Sequence, residues 1–317
     1  MTIRRMVSVL ALVGLASLLS GCDQCCFHLI CPPITIVFPP TTPVSYIYWV
    51  EQDSGRILRC ATTVAMPCTP EVVVSALDMP ADVAVDTTNQ LVYWTQGGGP
   101  QGVRRCSCAG PLPCAPEDVA TGQPAPRGVA VDVSSGMVYW GDDHLNAILR
   151  CSTTGGLPCV PEIVATGQTE PQVGGIWVDE ANGFVYWADE TDDVIRRCPT
   201  GGSMPCVPEV VVAGQACPYG VEVDEGSGQI YWAETTNDVI RRCSCSGTLP
   251  CAAPENVATG LGEPIGLALD TTNNVVYWAD YATDTIRRCF YGGALPCTPE
   301  DVATGQTLPM GIAFYDG

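Results

Sequence analysis

The sequence contains no lysine and only two histidines, His28 and His144. Its fourteen basic residues are all arginines and face 34 acidic residues, which gives a formal net charge of −20. Such a surface repels phosphate groups and argues against a nucleic acid partner. His28 lies in the segment before the repeats and His144 stands alone in a turn, so neither a Ser/His/Asp catalytic set nor a three-histidine metal site is expected. The acidity itself needs no explanation beyond solubility.

Long hydrophobic runs are also scarce. The run at residues 6–19 follows two arginines and is too short to span a membrane, so it predicts a secretory signal peptide over residues 1–21. It ends in Leu-Ser-Gly-Cys, closing at Cys22, which resembles the lipobox of bacterial lipoproteins. The resemblance implies cleavage before Cys22, lipidation of that cysteine and stable membrane anchoring. The alternative is an ordinary signal peptide that happens to end near a cysteine.

Residues 22–43 combine cysteine with five prolines. Proline at this density favours extended segments, so we expect a tether between the lipidated Cys22 and the rest of the chain. Spacing identifies no partner for Cys25, Cys26 and Cys31.

A tryptophan marks each of six copies of one sequence unit, at intervals of 45 to 47 residues. The six positions are Trp49, Trp94, Trp140, Trp187, Trp232 and Trp278. A period in this range indicates a repeat architecture in which each unit buries its apolar face against its neighbours. We therefore expect one closed body over residues 44–317.

Each unit carries four short candidate strands separated by turn residues and no convincing helix. In the unit around Trp140 the strands are predicted at residues 128–132, 137–140, 147–150 and 162–165. Four-stranded units repeated around an axis predict an all-β protein, a six-bladed β-propeller of four-stranded antiparallel blades. The repeat region begins with a strand of the kind that comes second in each unit, and it ends with a single strand of the kind that comes first. We therefore expect the C-terminal strand to complete the first blade.

The Tyr-Trp-x-Asp strand that follows a Gly-x-Ala-x-Asp strand resembles the YWTD, or low-density-lipoprotein-receptor class B, six-bladed propeller. The acid after Tyr-Trp is Glu51, Asp142, Asp189, Glu234 or Asp280, with Gln96 as the neutral exception. Five first strands end in an aspartate, at Asp86, Asp132, Asp179, Asp224 and Asp270. The resemblance covers residues 44–317 and implies that these residues are mostly framework and that the protein acts by binding proteins.

Nineteen cysteines indicate an oxidising, extracytoplasmic compartment. Twelve of them form a regular C-x7-C pattern, which predicts one disulfide across the mouth of a hairpin in each unit rather than a metal site. The pairs are Cys60/Cys68, Cys106/Cys114, Cys151/Cys159, Cys198/Cys206, Cys243/Cys251 and Cys289/Cys297. Cys108, Cys217 and Cys245 remain unassigned.

An arginine precedes the first cysteine of every pair, at Arg59, Arg105, Arg150, Arg197, Arg242 and Arg288. A ring of arginines could bind an anion. Six-fold recurrence instead favours a framework role, in which each arginine pairs with the acid ending the second strand.

Asymmetry among the units is the best guide to a binding site. The first-strand position held by Ala84, Ala130, Ala268 and Ala313 becomes Trp177 and Glu222 in two adjacent units. Just upstream lie Asp82, Arg127, Tyr219 and Met310. Because first strands surround the central channel, these residues are predicted to cluster at one mouth as a recognition patch. The alternative is that large side chains simply plug the channel.

We therefore expect a monomeric, lipid-anchored binding or scaffold protein of the bacterial envelope, not an enzyme, that engages a protein or envelope ligand at a propeller face. Two alternatives remain. One is a metal-dependent hydrolase of the lactonase or esterase type, and the other is a purely structural envelope component. No cofactor is expected, although acids at the first-strand ends could hold a structural Ca²⁺.

Overall fold

The computed structural model describes residues 44–167, 175–245, 247–251 and 253–317. The predicted signal peptide (1–21), the predicted lipidation site Cys22 and the predicted tether (22–43) lie outside the described residues. Residues Pro43–Gly317 form one compact unit. In the described part of the chain, no helix has the length and apolar character needed to cross a membrane.

The described residues contain 24 strands, which form six four-stranded antiparallel sheets. Each sheet is a blade with an inner, a second, a third and an outer strand. The inner strands are β4 (Pro80–Asp86), β8 (Pro126–Asp132), β12 (Ile176–Asp179), β16 (Pro218–Asp224), β20 (Pro264–Asp270) and β24 (Pro309–Tyr315). The second strands are β1 (Tyr46–Glu51), β5 (Leu91–Gln96), β9 (Met137–Asp142), β13 (Phe184–Asp189), β17 (Gln229–Glu234) and β21 (Val275–Asp280).

The remaining two strands of each blade form a hairpin on its outer side. The third strands are β2 (Arg56–Ala61), β6 (Gly102–Ser107), β10 (Ala147–Ser152), β14 (Val194–Pro199), β18 (Val239–Ser244) and β22 (Thr285–Phe290). The outer strands are β3 (Glu71–Val74), β7 (Glu117–Thr121), β11 (Glu162–Thr166), β15 (Glu209–Ala213), β19 (Glu255–Thr259) and β23 (Glu300–Thr304). The four strands predicted around Trp140 correspond to β8–β11, each one or two residues longer than predicted.

The ring closes as the sequence predicts. Blade 1 consists of β24, β1, β2 and β3, and blades 2 to 6 use β4–β7, β8–β11, β12–β15, β16–β19 and β20–β23. Ile312 of β24 lies opposite Trp49 of β1, and Ala313 lies opposite Tyr48. The inner strands contact one another in a circle, from β4 through β8, β12, β16, β20 and β24 back to β4. The architecture is a six-bladed β-propeller whose C-terminal strand completes the first blade.

The Tyr-Trp pair of each second strand builds the packing between blades. Successive residues of a strand point to opposite faces, so the two rings of a pair contact different neighbours. Trp232 of blade 5 packs with Tyr186 of blade 4, whereas Tyr231 packs with Trp278 of blade 6. The six tryptophans of this motif are fully buried. Replacing one buried aromatic side chain of this kind by alanine typically costs about 3–5 kcal/mol.

The acids that recur at strand ends hold the turns. Asp86 at the end of an inner strand accepts a hydrogen bond from the Asn89 backbone N–H at 2.8 Å. Asp142 at the end of a second strand accepts one from the Leu145 backbone N–H at 3.0 Å. Such contacts satisfy donors that a tight turn would otherwise leave open. They support the framework role that the repetition of these acids indicates.

The arginine before each first cysteine has a different partner from the predicted one. Arg150 Nη2 lies 2.8 Å from Glu162 Oε2, and its Nη1 donates a hydrogen bond to the Tyr139 hydroxyl at 3.4 Å. The predicted pairing with Asp142 is wrong because Asp142 lies opposite Ala147, three residues away from Arg150 along β10. The equivalent pairs are Arg59–Glu71, Arg105–Glu117, Arg197–Glu209, Arg242–Glu255 and Arg288–Glu300.

In four blades another arginine of the third strand pairs with the acid that ends the second strand. Such pairs are Arg56–Glu51, Arg196–Asp189, Arg241–Glu234 and Arg287–Asp280. These contacts keep the arginines within the framework and supply no anion-binding ring.

The six predicted disulfides are confirmed. Each links the end of a third strand to the loop before the outer strand of the same blade. The bonds are Cys60–Cys68, Cys106–Cys114, Cys151–Cys159, Cys198–Cys206, Cys243–Cys251 and Cys289–Cys297. Cys108, Cys217 and Cys245 are free and partly buried. The disulfides agree with an extracytoplasmic location.

The second cysteine of each disulfide makes a contact that the sequence did not predict. Besides its bond within one blade, its backbone N–H donates a hydrogen bond to the preceding blade. The first cysteine of each pair is buried, whereas the second is partly exposed and lies outside the strands. The Cys159 backbone N–H donates a hydrogen bond to the Val119 carbonyl oxygen of blade 2 at 2.8 Å. The equivalent contacts are Cys68–Val302, Cys114–Val73, Cys206–Val164, Cys251–Val211 and Cys297–Val257. Spacing along the chain predicts the disulfides but carries no information on these contacts between blades.

Candidate functional site

A cavity of about 220 Å³ lies at the centre of the ring. All six inner strands and the turns that follow four of them contribute to its lining. The walls are mostly valine, alanine and other aliphatic side chains, with Trp177 and Phe314 as the aromatic contributors. Within the described part of the chain, four acidic residues and no basic residue line the cavity. The acids are Asp82, Glu180, Glu222 and Glu225.

The inner strands approach one another most closely at one level, which narrows the channel. The residue two places before Ala84 and its equivalents is a glycine in five blades, at Gly128, Gly175, Gly220, Gly266 and Gly311. A Cβ at Gly220 would lie 2.5 Å from the Ile265 carbonyl oxygen, and one at Gly266 would lie 2.7 Å from the Met310 carbonyl oxygen. A side chain therefore does not fit at Gly220 or Gly266 unless the neighbouring strand moves. We call this level the glycine level.

The opposite end of the cavity is open. Glu180 and Glu225 follow the ends of inner strands β12 and β16, line the cavity and are exposed. We call this end the channel mouth. At the other end Ile265 and Met310, which immediately precede the glycine level, are buried. A ligand therefore reaches the cavity from the side where the inner strands end.

The six residues of the predicted recognition patch fall into two groups. Asp82, Trp177 and Glu222 line the cavity. Arg127, Tyr219 and Met310 each immediately precede a glycine of the glycine level and do not contribute to the lining. The structure brings the first three around one space and places the other three beyond its closed end.

Asp82 occupies the glycine level in blade 2 and connects neighbouring blades. Its Oδ1 accepts the Val83 backbone N–H at 2.9 Å, and its Oδ2 accepts the Val129 backbone N–H of blade 3 at 2.8 Å. On its other side it lies against Gly311 of blade 1, where no side chain fills the space. Burial raises the pKa of Asp82 to about 7, although the two backbone bonds oppose the change.

Glu222 makes a similar contact between blades 5 and 6. Its Oε2 accepts the Leu269 backbone N–H at 3.1 Å, and only 6% of the residue is exposed. Burial raises the pKa of Glu222 well above its usual range, and the nearby Asp224 and Glu225 carboxylates raise it further. Among the described residues, Oε1 has no hydrogen-bonding partner, so one oxygen of a buried carboxyl group is left for a ligand.

Trp177 forms part of the wall between blades 4 and 5. It lies opposite Tyr186 in the sheet and packs against the cluster that contains Val221, Val223 and Trp232. Its indole Nε1 is buried and has no hydrogen-bonding partner within the described part of the chain. The side chain is partly exposed and supplies an aromatic surface to the cavity.

The second group lies around Arg127. Its Nε is 2.6 Å from Asp143 Oδ2 in a partly buried ion pair. Burial raises the pKa of the nearby Tyr219 hydroxyl. Tyr219 and Met310 belong to one hydrophobic cluster with Ile265. This group covers the closed end of the channel, which agrees with the plug alternative for these three residues.

Sequence reasoning missed Glu180 and Glu225 at the mouth. Glu180 accepts the Val133 and Ser134 backbone N–H groups of blade 3, and Glu225 accepts the Glu180 backbone N–H of blade 4. The signal was present, because among the five blades whose inner strand ends in aspartate the next residue is acidic only in these two adjacent blades.

The described residues offer little catalytic machinery. No group of three His, Cys, Asp or Glu side chains within them could hold a metal ion. His144 is exposed in a turn, and His28 lies outside the described residues. Two carboxyl groups with raised pKa values in one cavity are the nearest approach to an acid–base pair.

No protein-family model matches the chain, and a search of curated proteins finds no match. Several solved structures share its fold. A chain of the nidogen/laminin complex superposes with a TM-score of 0.73 at 19% identity, over 85% of this chain and 98% of that one. An auxiliary nutrient binding protein from Bacteroides ovatus gives 0.63 at 14% identity, over 80% and 66%. Virginiamycin B lyase from Staphylococcus aureus gives 0.58 at 12% identity, over 86% and 88%.

These similarities confirm the predicted resemblance to YWTD six-bladed propellers at the level of the fold. The neighbours include binding proteins and a lyase, so the fold alone leaves open whether the protein is an enzyme.

Proposed function

We propose that the protein is an extracytoplasmic binding protein, anchored to the membrane through a lipidated Cys22, that holds its ligand in the central cavity and at the channel mouth. The observation that carries the proposal is the asymmetry of the cavity wall. Four blades place alanine at one position of the inner strand, whereas two adjacent blades place Trp177 and Glu222 there. Both of these residues line the cavity. A framework position would repeat, as the tryptophans, arginines and disulfides do.

Two further observations support this proposal. The six disulfides fit a protein that works outside the cytoplasm. Structural neighbours include a nutrient binding protein and a chain from a protein complex, so the same fold serves binding in other proteins. Propeller channels of this size suit a small molecule or a single side chain better than a folded domain.

The test compares residues 44–317 with a Trp177→Ala/Glu222→Ala double variant. This part of the chain contains the complete closed ring. Alanine is the residue that four other blades carry at this position, so the variant makes the cavity wall uniform. We expect the unmodified protein to retain a saturable ligand from an envelope extract, and the variant to retain about tenfold less or lower, because it loses the aromatic and acidic contacts.

Thermal unfolding verifies that the variant is folded. Arg127→Ala, on the closed side of the glycine level, serves as the matched control and should retain the ligand. Equal recovery by the unmodified protein and the double variant would show that the cavity is not the binding site.

A metal-dependent hydrolase of the lactonase or esterase type is the second candidate. It is favoured by the raised pKa values of Asp82 and Glu222, two carboxyl groups that line one cavity. It predicts hydrolysis of an ester or lactone that a chelator abolishes. A purely structural envelope protein would instead show no saturable ligand.

A further inference from the structure

We propose that the central cavity binds an aliphatic cation, an ammonium or guanidinium group carried on an apolar chain, and that Glu222 Oε1 pairs with its charge. This inference names the ligand class of the site described above and so rests on the proposed function.

All the ionisable side chains that line the cavity, among the described residues, are acidic. Its lining contains Asp82, Glu180, Glu222 and Glu225 and no arginine, and the chain has no lysine. The net charge of −20 adds a long-range attraction for cations and a repulsion for anions. The sign of the ligand charge follows from this arrangement.

The geometry distinguishes Glu222 from the other three acids. Both oxygens of Asp82 accept backbone N–H groups, and both oxygens of Glu180 do the same. Glu225 is exposed at the mouth, where water screens its charge. Only 6% of Glu222 is exposed, and the Leu269 N–H holds its Oε2 in place, which leaves Oε1 without a partner in the described part of the chain. A cationic N–H donor is the strongest partner for such an oxygen, and its charge favours the ionised form of Glu222 that burial alone disfavours.

The residues that line the cavity indicate what kind of molecule carries the cation. The rest of the lining is aliphatic apart from Thr87, Trp177 and Phe314. Aliphatic walls favour a hydrocarbon chain, and an aromatic face near a cation adds a further attraction. A divalent metal ion needs several oxygen ligands, and within the described residues no three acidic, histidine or cysteine side chains form such a group. An organic cation needs only one carboxylate and an apolar channel.

In the first experiment, n-butylammonium and its neutral counterpart n-butanol are each titrated into a protein of residues 44–317, and binding is measured by calorimetry. We expect saturable one-to-one binding of n-butylammonium and binding of n-butanol that is at least about tenfold weaker, because a hydrogen bond to a charged partner is lost. A blocked tripeptide with a central lysine forms a parallel arm. Binding of the peptide would identify the source as a protein side chain, and binding of the free amine alone would identify it as a small molecule.

The second experiment repeats the titration with Glu222→Gln. The amide oxygen can still accept the Leu269 N–H, so the inter-blade contact is kept while the ionisable carboxyl group is removed. We expect n-butylammonium to bind at least about tenfold more weakly. Glu263→Gln, which changes an exposed acid outside the cavity, is the matched control and should bind as the unmodified protein does.

Three results would overturn the proposal: no saturable binding of n-butylammonium, equal binding of n-butanol, or undiminished binding by a folded Glu222→Gln variant. If no amine binds but an envelope ligand is still retained through Trp177 and Glu222, the ligand class is wrong and the proposed function stands. If neither is retained, both fail.

Discussion

Single residues of the cavity wall also hold the blades together. Asp82 bonds the backbone of blade 3, Glu222 bonds that of blade 6, and Glu180 and Glu225 bond those of blades 3 and 4. Each of these carboxyl groups departs from the repeat and satisfies a backbone donor of the adjacent blade. Substitutions in the cavity therefore have to be judged for both folding and binding.

Asp82 should make stability depend on pH in a specific direction. Its folded-state pKa of about 7 lies above the ordinary value of 3.8, so its contribution to stability is full below about pH 4 and is lost as the pH rises towards about 7. The loss is at most about 1.4 kcal/mol for each pH unit in that window. Denaturant unfolding of the unmodified protein and of Asp82→Asn at pH 5 and pH 8 measures it. We expect the unmodified protein to lose more stability than the variant between the two values.

Asp53→Asn is the control, because Asp53 is exposed in the turn between β1 and β2. The stability of this variant should change between pH 5 and pH 8 as that of the unmodified protein does. An unchanged pH dependence in Asp82→Asn would contradict the assignment of this titration to Asp82.

At the scale of elements, the hairpin of third and outer strands is the unit that the sequence repeats most faithfully. Each hairpin carries a disulfide, and the arginine beside it pairs with the glutamate that opens the outer strand. The glutamates are about half exposed, so each ion pair adds about 1 kcal/mol or less to the free energy of unfolding. The disulfide is the larger contribution.

We expect Cys151→Ser/Cys159→Ser to lower the free energy of unfolding by about 2.5 kcal/mol, because a short closed loop no longer restricts the unfolded chain. Denaturant unfolding under oxidising conditions measures the difference. Cys108→Ser, which removes a free thiol, is the control and should change stability less. A double variant as stable as the unmodified protein would show that the bond adds nothing to the folded hairpin.

The strands and their order were predictable because six copies of one pattern reinforce each other. The partner of Arg150 was mispredicted because Arg150 lies away from the turn between β9 and β10, whereas Asp142 lies at that turn. The predicted patch was divided for a similar reason. Tyr219 and Glu222 are three residues apart in β16, but the close packing at Gly220 puts them on opposite sides of the constriction. That constriction depends on how the inner strands pack in three dimensions.

At the scale of the whole molecule, stability depends on closure. β24 pairs with β1 and also contacts the inner strands β20 and β4, so one strand connects three blades. Ile312 and Met310 are buried in these contacts.

Deletion of residues 309–317 should open the ring. We expect a loss of stability larger than the about 4–5 kcal/mol that marks the most severe single substitutions, since a strand pairing and two blade contacts disappear together. Proteolysis and thermal unfolding measure the effect. Deletion of residues 316–317 alone leaves β24 intact and should be tolerated. A shortened protein without β24 that resists protease as well as the full ring does would contradict closure as the source of stability.

The meeting of the two ends has a consequence for access. Tyr46, the first residue of β1, lies opposite Tyr315, the last residue of β24, and the Ser45 hydroxyl donates a hydrogen bond to Asp316 at 3.1 Å. The inner strands end on the side of the channel mouth, so the start of β1 lies on that same side. A bulky group attached to Ser45 would therefore obstruct the approach to this mouth and slow the filling of the cavity.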